Sequence, residues 1–198
     1  MKTLLIIVLF LSSFLSACSQ ENSRQTAPIV SRKSDVELLR ETIKNNPKDA
    51  DAWFHLAELY ERANLYQEEI DALKNVVAVK PDMGYAYFKL GTAYNRLDRY
   101  QDAVDNFIKA TKRVKNQPMV YNNLAISYGK LGKIDDEIAA LRKALSIRPK
   151  YAIARFNLGM ALLKKGERDE ALKHYALLKD LDESAAAALK KEIDAKRK

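Results

Sequence analysis

The sequence predicts an all-α protein, an α-solenoid of four stacked helix hairpins. Three observations carry that expectation. One pattern recurs four times, as "WFHLAELY" at 53–60, "YFKLGTAY" at 87–94, "YNNLAISY" at 121–128 and "RFNLGMAL" at 155–162. Successive copies start 34 residues apart without insertion, and a fixed period of this length marks stacked supersecondary units. A companion block follows each copy in step: "EEIDALKNV" from 68, "DAVDNFIKA" from 102, "DEIAALRKA" from 136 and "EALKHYALL" from 170. Composition agrees, with 47% apolar and 30% charged residues and only 6 Gly and 5 Pro. That is a globular balance with too few turn residues for an all-β protein.

In chain order, the first element is a leader. "MKTLLIIVLFLSSFLSAC" opens with Lys2 and continues as an unbroken apolar run from Leu4 to Leu11. The run is shorter than the ~20 residues a spanning helix needs, and with its flanks it predicts a signal peptide over 1–17. Cutting after Ala17 by ordinary signal peptidase would place the large Leu15 at −3, a poor fit. Leu15-Ser16-Ala17-Cys18 instead resembles the lipobox of bacterial lipoproteins. That resemblance implies diacylglycerol on the Cys18 thiol, cleavage before it, and a stable membrane anchor once two or more chains are present. Ser19 stands where many inner-membrane lipoproteins carry aspartate, which implies the outer membrane, facing the periplasm. Cys18 is the only cysteine, so an internal disulfide framework and CxxC-type sites are excluded. Residues 18–33 then read as the lipidated cysteine and a flexible polar tether.

The folded region is expected over 34–198, beginning with a single helix at 34–46 that Pro47 closes. Repeats follow at 50–83, 84–117, 118–151 and 152–185, with a capping helix at 184–197. In the first repeat Trp53, Leu56, Ala57 and Tyr60 fall at i, i+3, i+4 and i+7, one face of a helix; Ile70, Leu73, Val76 and Val77, at i, i+3, i+6 and i+7, likewise share a helix face in the second block. Short polar turns separate the blocks, and Pro81 and Pro149 close repeats 1 and 3. These residues resemble the tetratricopeptide repeat (TPR) signature, which has an aromatic, Leu, Gly or Ala, and Tyr in helix A, then Ala, an aromatic and Ala in helix B, then Pro. The resemblance implies a right-handed TPR superhelix. Repeats 1 and 3 depart together, with Glu69 and Glu137 where helix B has Ala, and with Leu73 and Leu141 at the aromatic site. Repeats 2 and 4 share Gly91 and Gly159 with the aromatics Phe107 and Tyr175, which suggests a duplicated two-repeat unit. Arg155 replaces the first aromatic of repeat 4, so a looser unit is expected there. The cap is expected to bury Ala185, Ala188, Leu189 and Ile193 and so close the stack.

No constellation of catalytic residues stands out. His55 and His174 sit on separate helices without metal-ligand spacing and are expected to be solvated. Glu68-Glu69 and Asp135-Asp136 begin helices, where the dipole favours carboxylates. No cofactor, small-molecule substrate or nucleic acid is expected, despite a net charge of +8.

The TPR resemblance implies a concave groove lined by the A helices. Its rows map onto Phe54, Phe88, Asn122 and Phe156, then Glu58, Thr92, Ile126 and Met160, then a basic ladder of Arg62, Arg96, Lys130 and Lys164. Such a groove would suit a peptide or helix with apolar anchors and acidic side chains. The expected role is a non-enzymatic, membrane-anchored scaffold of the bacterial envelope, in complex assembly such as pilus, secretin or cell-wall machinery. A periplasmic carrier or chaperone, and an accessory subunit of an envelope enzyme, remain alternatives.

Overall fold

A computed structural model of the chain describes residues 29–196. Cys18, the leader and the first part of the expected tether lie outside them. Among the described residues there are ten helices and no strand: α1 (Ile29–Asn45), α2 (Ala50–Arg62), α3 (Tyr66–Val79), α4 (Gly84–Arg96), α5 (Tyr100–Arg113), α6 (Pro118–Lys130), α7 (Ile134–Ile147), α8 (Ala152–Lys165), α9 (Arg168–Leu178) and α10 (Glu183–Ala195). None is long and apolar enough to cross a membrane. Each helix packs chiefly on its neighbours in the chain, and α10 also reaches back to α8. That is the layout of a solenoid.

One chain reversal is used four times. Asn64, Asp98, Gly132 and Gly166 stand at the same place in the four A-to-B turns, with φ of 58, 56, 73 and 88°. These are residue types that enter the left-handed region readily. The next residue, Leu65, Arg99, Lys133 or Glu167, donates its N–H to the carbonyl of Tyr60, Tyr94, Tyr128 or Leu162 at 2.9, 2.9, 3.0 and 2.8 Å. Each A helix is thus closed by a bond to one of its otherwise open carbonyls.

The core follows the two apolar periodicities. Leu56, Leu90, Leu124 and Leu158 from the A helices are buried against Leu73, Phe107, Leu141 and their neighbours, each worth about 1.5–3 kcal/mol of burial. The alternation of Ala and Gly on the A helices has a steric cause. A Cβ on Gly91 would lie 2.6 Å from the Phe107 ring, whereas Ala57 and Ala125 occur in the repeats that carry Leu73 and Leu141 instead. At Gly159 the crowding atom belongs to the cap: a Cβ there would lie 2.5 Å from Leu189.

Three expectations need correction. Helix α1 begins at Ile29, so the last five residues of the expected tether are helical; Ile29 to Lys33 contain neither Gly nor Pro to prevent it. The cap buries Ala186, Leu189 and Ile193, and Ala188 faces solvent. Arg155 fills the slot of the missing aromatic: it is 9% exposed and donates from Nη2 to the Pro149 carbonyl, while its buried Nε has no hydrogen-bond partner among the described residues. Trp53 makes the equivalent bond in repeat 1, from Nε1 to the Pro47 carbonyl at 3.0 Å. His174 is half-buried rather than solvated; burial, then the nearby Arg155, push its imidazole below the usual value, and Nδ1 has no hydrogen-bond partner among the described residues.

Candidate binding groove

Helices α2, α4, α6 and α8 present one residue row after another at 34-residue spacing. In the first expected row Phe54, Phe88 and Phe156 are half-buried. Asn122 does not join them. It is 3% exposed, and its side-chain oxygen accepts from Asn157 Nδ2 at 3.0 Å. An amide already held inside the stack is not available to a ligand.

A row that sequence inspection missed lies one turn earlier. Tyr85, Met119 and Ile153 open their helices at the same register and are 48, 46 and 58% exposed. Each stands three residues before the expected row, so the two rows share a helix face. The signal was present as apolar residues at 34-residue spacing outside the core positions. Tyr85 bridges two repeats, with its ring centroid 6.0 Å from that of Phe54 and 5.9 Å from that of Phe88. Ile126, exposed, and Met160, half-buried, extend the apolar strip toward the helix C-termini.

Arg62, Arg96, Lys130 and Lys164 are all exposed beside this strip. Their surroundings differ. Lys164 Nζ is 3.7 Å from Glu137 Oε1, and Lys130 Nζ sits 6.0 Å from the centre of the Tyr100 ring. Arg96 lines a recess with Glu61 and Glu69, and Arg62 lines a wider depression with His55 and Glu58.

Charged groups also lie buried at the junction of repeats 1 and 2. Glu69 is 2% exposed. Burial, reinforced by Glu61 and opposed by Lys89 and Arg96, raises its carboxyl to about 7. Glu68 and Glu69 both stand in the first turn of α3, as expected, but only Glu68 is exposed. Lys89 Nζ donates to Glu61 Oε2 at 2.6 Å and lies 5.8 and 5.7 Å from the centres of the Phe54 and Tyr85 rings. Burial lowers this ammonium, but the bond to Glu61 together with the charges of Glu61, Tyr85 and Glu69 outweighs it and holds Lys89 above its ordinary value. At the third repeat, burial raises Glu137, and Lys164 partly offsets this. Among the described residues no group of His, Cys, Asp and Glu could hold a metal ion. The site offers non-covalent recognition: exposed apolar rings flanked by charges at fixed spacing.

Comparison with known proteins places the chain. Family models described as tetratricopeptide repeat match residues 36–76 and 122–186, and residues 84–113. A crystal structure of MamA is 28% identical, covers 77% of this chain and 89% of its own, and superposes with a TM-score of 0.72. A second MamA structure is 24% identical, with 89 and 93% covered and a TM-score of 0.74. YrrB, described as a TPR protein with an unusual peptide-binding site, is 23% identical, with 79 and 86% covered and a TM-score of 0.66. A comparison with curated proteins gave no match. With the repeat register, the helix hairpins and the family models in agreement, the chain belongs to the tetratricopeptide repeat family.

Proposed function

We propose that the chain is a non-enzymatic interaction scaffold whose A-helix groove holds one segment of a partner protein. The observation that carries this is the exposed apolar strip of Tyr85, Met119, Ile126 and Ile153 beside the cationic ladder. Large apolar side chains in a contiguous exposed row, rimmed by charge, are the usual signature of an interaction surface. The peptide-binding site described for YrrB belongs to a protein that shares this fold; the reading here stands on the strip.

The partner segment supplies apolar anchors to the strip and acidic side chains to Lys130 and Arg62, which with Arg96 are the ladder cations without an ion-pair partner among the described residues. A lipid anchor at Cys18 would hold the scaffold at the bacterial envelope, at the periplasmic face of the outer membrane, where it serves assembly of an envelope complex.

Photo-crosslinking in cells tests the groove. A benzophenone side chain at Tyr85, Met119 or Ile153 is expected to trap the same protein, and one at the exposed outer position Arg142 is not. Equal trapping from both faces would remove the groove as the binding surface. The anchor has its own test. Cys18→Ala is expected to abolish fatty-acid labelling and release the chain from the membrane fraction, and unchanged fractionation would end that part of the proposal.

A further inference from the structure

Glu69 presents an unusual arrangement. Its residue is 2% exposed, and its carboxyl group has no hydrogen-bond or ion-pair partner among the described residues. It lines a recess of about 80 Å³ with Glu61 and Tyr66 from repeat 1 and Thr92 and Arg96 from repeat 2. Thr92 and Arg96 belong to the groove rows, so the recess adjoins the groove. A buried carboxyl group left without a partner carries a desolvation cost that a donor entering the recess would offset.

The equivalent junction between repeats 3 and 4 is already closed. There Glu137 takes the place of Glu69 and Lys164 that of Arg96, and the pair stands at 3.7 Å. Gly129 replaces Glu61, and the Glu137 carboxyl packs against it, within 2.7 Å of where a Cβ would stand. In repeats 1 and 2 the second carboxylate, Glu61, is held by Lys89 at 2.6 Å. Lys89 is itself engaged with the Phe54 and Tyr85 rings. The Glu69 carboxyl therefore stands open to the recess, whereas its counterpart Glu137 is already paired.

We infer that the recess beside Glu69 receives a basic side chain, the ammonium of lysine or the guanidinium of arginine, from the segment that occupies the groove. This rests on the groove reading above and sharpens it by giving the bound segment a charge order. A basic residue lies at the junction of repeats 1 and 2, and acidic residues face Arg62 and Lys130 on either side of it. The volume admits a terminal cationic group, comparable to two or three water molecules at ~30 Å³ each. Glu61 and Glu69 disfavour an anion, and a neutral amide would compensate the ionised form of Glu69 less than a cation does. The titratable and charged groups facing Glu69 are Glu61 from α2, Tyr66 from α3, and Lys89 and Arg96 from α4. Because burial raises Glu69 to about 7, a bound cation favours its ionised form, and cation binding weakens as the pH falls below that value.

Butylammonium chloride is the probe, titrated into the full ¹³C-labelled chain while the Glu69 carboxyl resonance is followed by NMR at constant ionic strength. The expected result is a saturable shift at Glu69, absent with sodium, together with a fall of about one unit in its apparent pKa. Arg96→Ala should tighten butylammonium roughly two- to fivefold by removing a partly exposed like charge. Glu69→Gln, nearly isosteric, should abolish saturation while helicity is kept. A non-saturating shift identical to that with sodium would overturn the inference. So would a Glu69 that titrates in the ordinary carboxylate range in the free protein, because Arg96 would then have closed on it as Lys164 does on Glu137. Neither result touches crosslinking from Tyr85, Met119 and Ile153, so failure of the recess and failure of the groove are separable.

Discussion

Single residues here show how one structural slot accepts different chemistries. Trp53 and Arg155 occupy the same register and both donate to the carbonyl of a proline six residues before them. Arginine can replace the indole because both carry a long apolar body with a planar N–H donor at its end. Position 69 is the opposite case. Ala103 and Ala171 fill this slot in repeats 2 and 4 and are fully buried, yet repeat 1 places a carboxyl there. The folded state keeps the Glu69 proton up to about 7, while the unfolded chain releases it near 4.5. In that window the native state binds more protons, so the Glu69 contribution to stability falls as pH rises from 4.5 to 7. Glu69→Ala is expected to remove that fall, making the variant more stable than wild type at high pH by up to about 3 kcal/mol, with a smaller difference at low pH. Urea denaturation at a pH of about 5 and of about 8 measures this. A variant-minus-wild-type difference that is equal at both pH values would show that Glu69 ionises in the native state as it does in the unfolded chain.

Among elements, the cap shows what the sequence could and could not specify. Helix α10 is fixed by Asp182, whose side chain accepts from the Ala185 N–H at 2.9 Å, and by Leu189 seated over Gly159. Truncating Leu189 to Ala leaves a cavity where a fully buried side chain stood, at a cost of about 2–5 kcal/mol. Because stability in stacked repeats is largely nearest-neighbour, the expected result is faster amide exchange in α10 and the adjoining face of α8, with α2 to α5 unchanged. Uniform acceleration across all helices would mean the stack unfolds as one unit. The existence of this helix was legible in its strong helix formers, but its buried face was not. Four consecutive alanines, Ala185 to Ala188, are apolar on every side, so periodicity cannot choose between Ala186 and Ala188. The A-to-B hairpins were legible because Leu, Gly or Ala, and the turn residues repeat in register. The burial of Glu69 was not, because Thr92 and Arg96, which enclose it, belong to the next repeat and carry no local mark of that contact. The row of Tyr85, Met119 and Ile153 escaped for another reason: apolar residues among core positions look like more core.

For the whole molecule, stacking turns a local register into a surface with direction. The net charge of +8 is not spread evenly, since no acidic residue occurs from 106 to 134 or from 138 to 166. Acids in the groove rows and their supports fall mainly in repeat 1, as Glu58, Glu61 and Glu69, whereas repeats 3 and 4 contribute Glu137 alone. The four ladder cations are thus unequal in what they can offer an acidic ligand. Lys164 is shared with Glu137 at 3.7 Å, while Lys130 stands free of any carboxylate among the described residues and touches only the Tyr100 ring face. With the partner segment trapped by crosslinking as the ligand, Lys130→Glu is therefore expected to weaken binding by roughly tenfold, about 1.4 kcal/mol. Lys164→Glu removes a cation that is already partly neutralised, yet it also sets a new carboxylate against the buried Glu137, so its loss of affinity comes with a loss of thermal stability that Lys130→Glu does not share. Association of the wild-type protein should slow as salt is raised, because exposed cations steer an acidic ligand over about a Debye length, ~10 Å at 0.1 M. Titration calorimetry on the two variants and stopped-flow rates at two salt concentrations separate these effects. Equal affinity for wild type and Lys130→Glu, with association indifferent to salt, would leave the apolar strip as the sole determinant of binding.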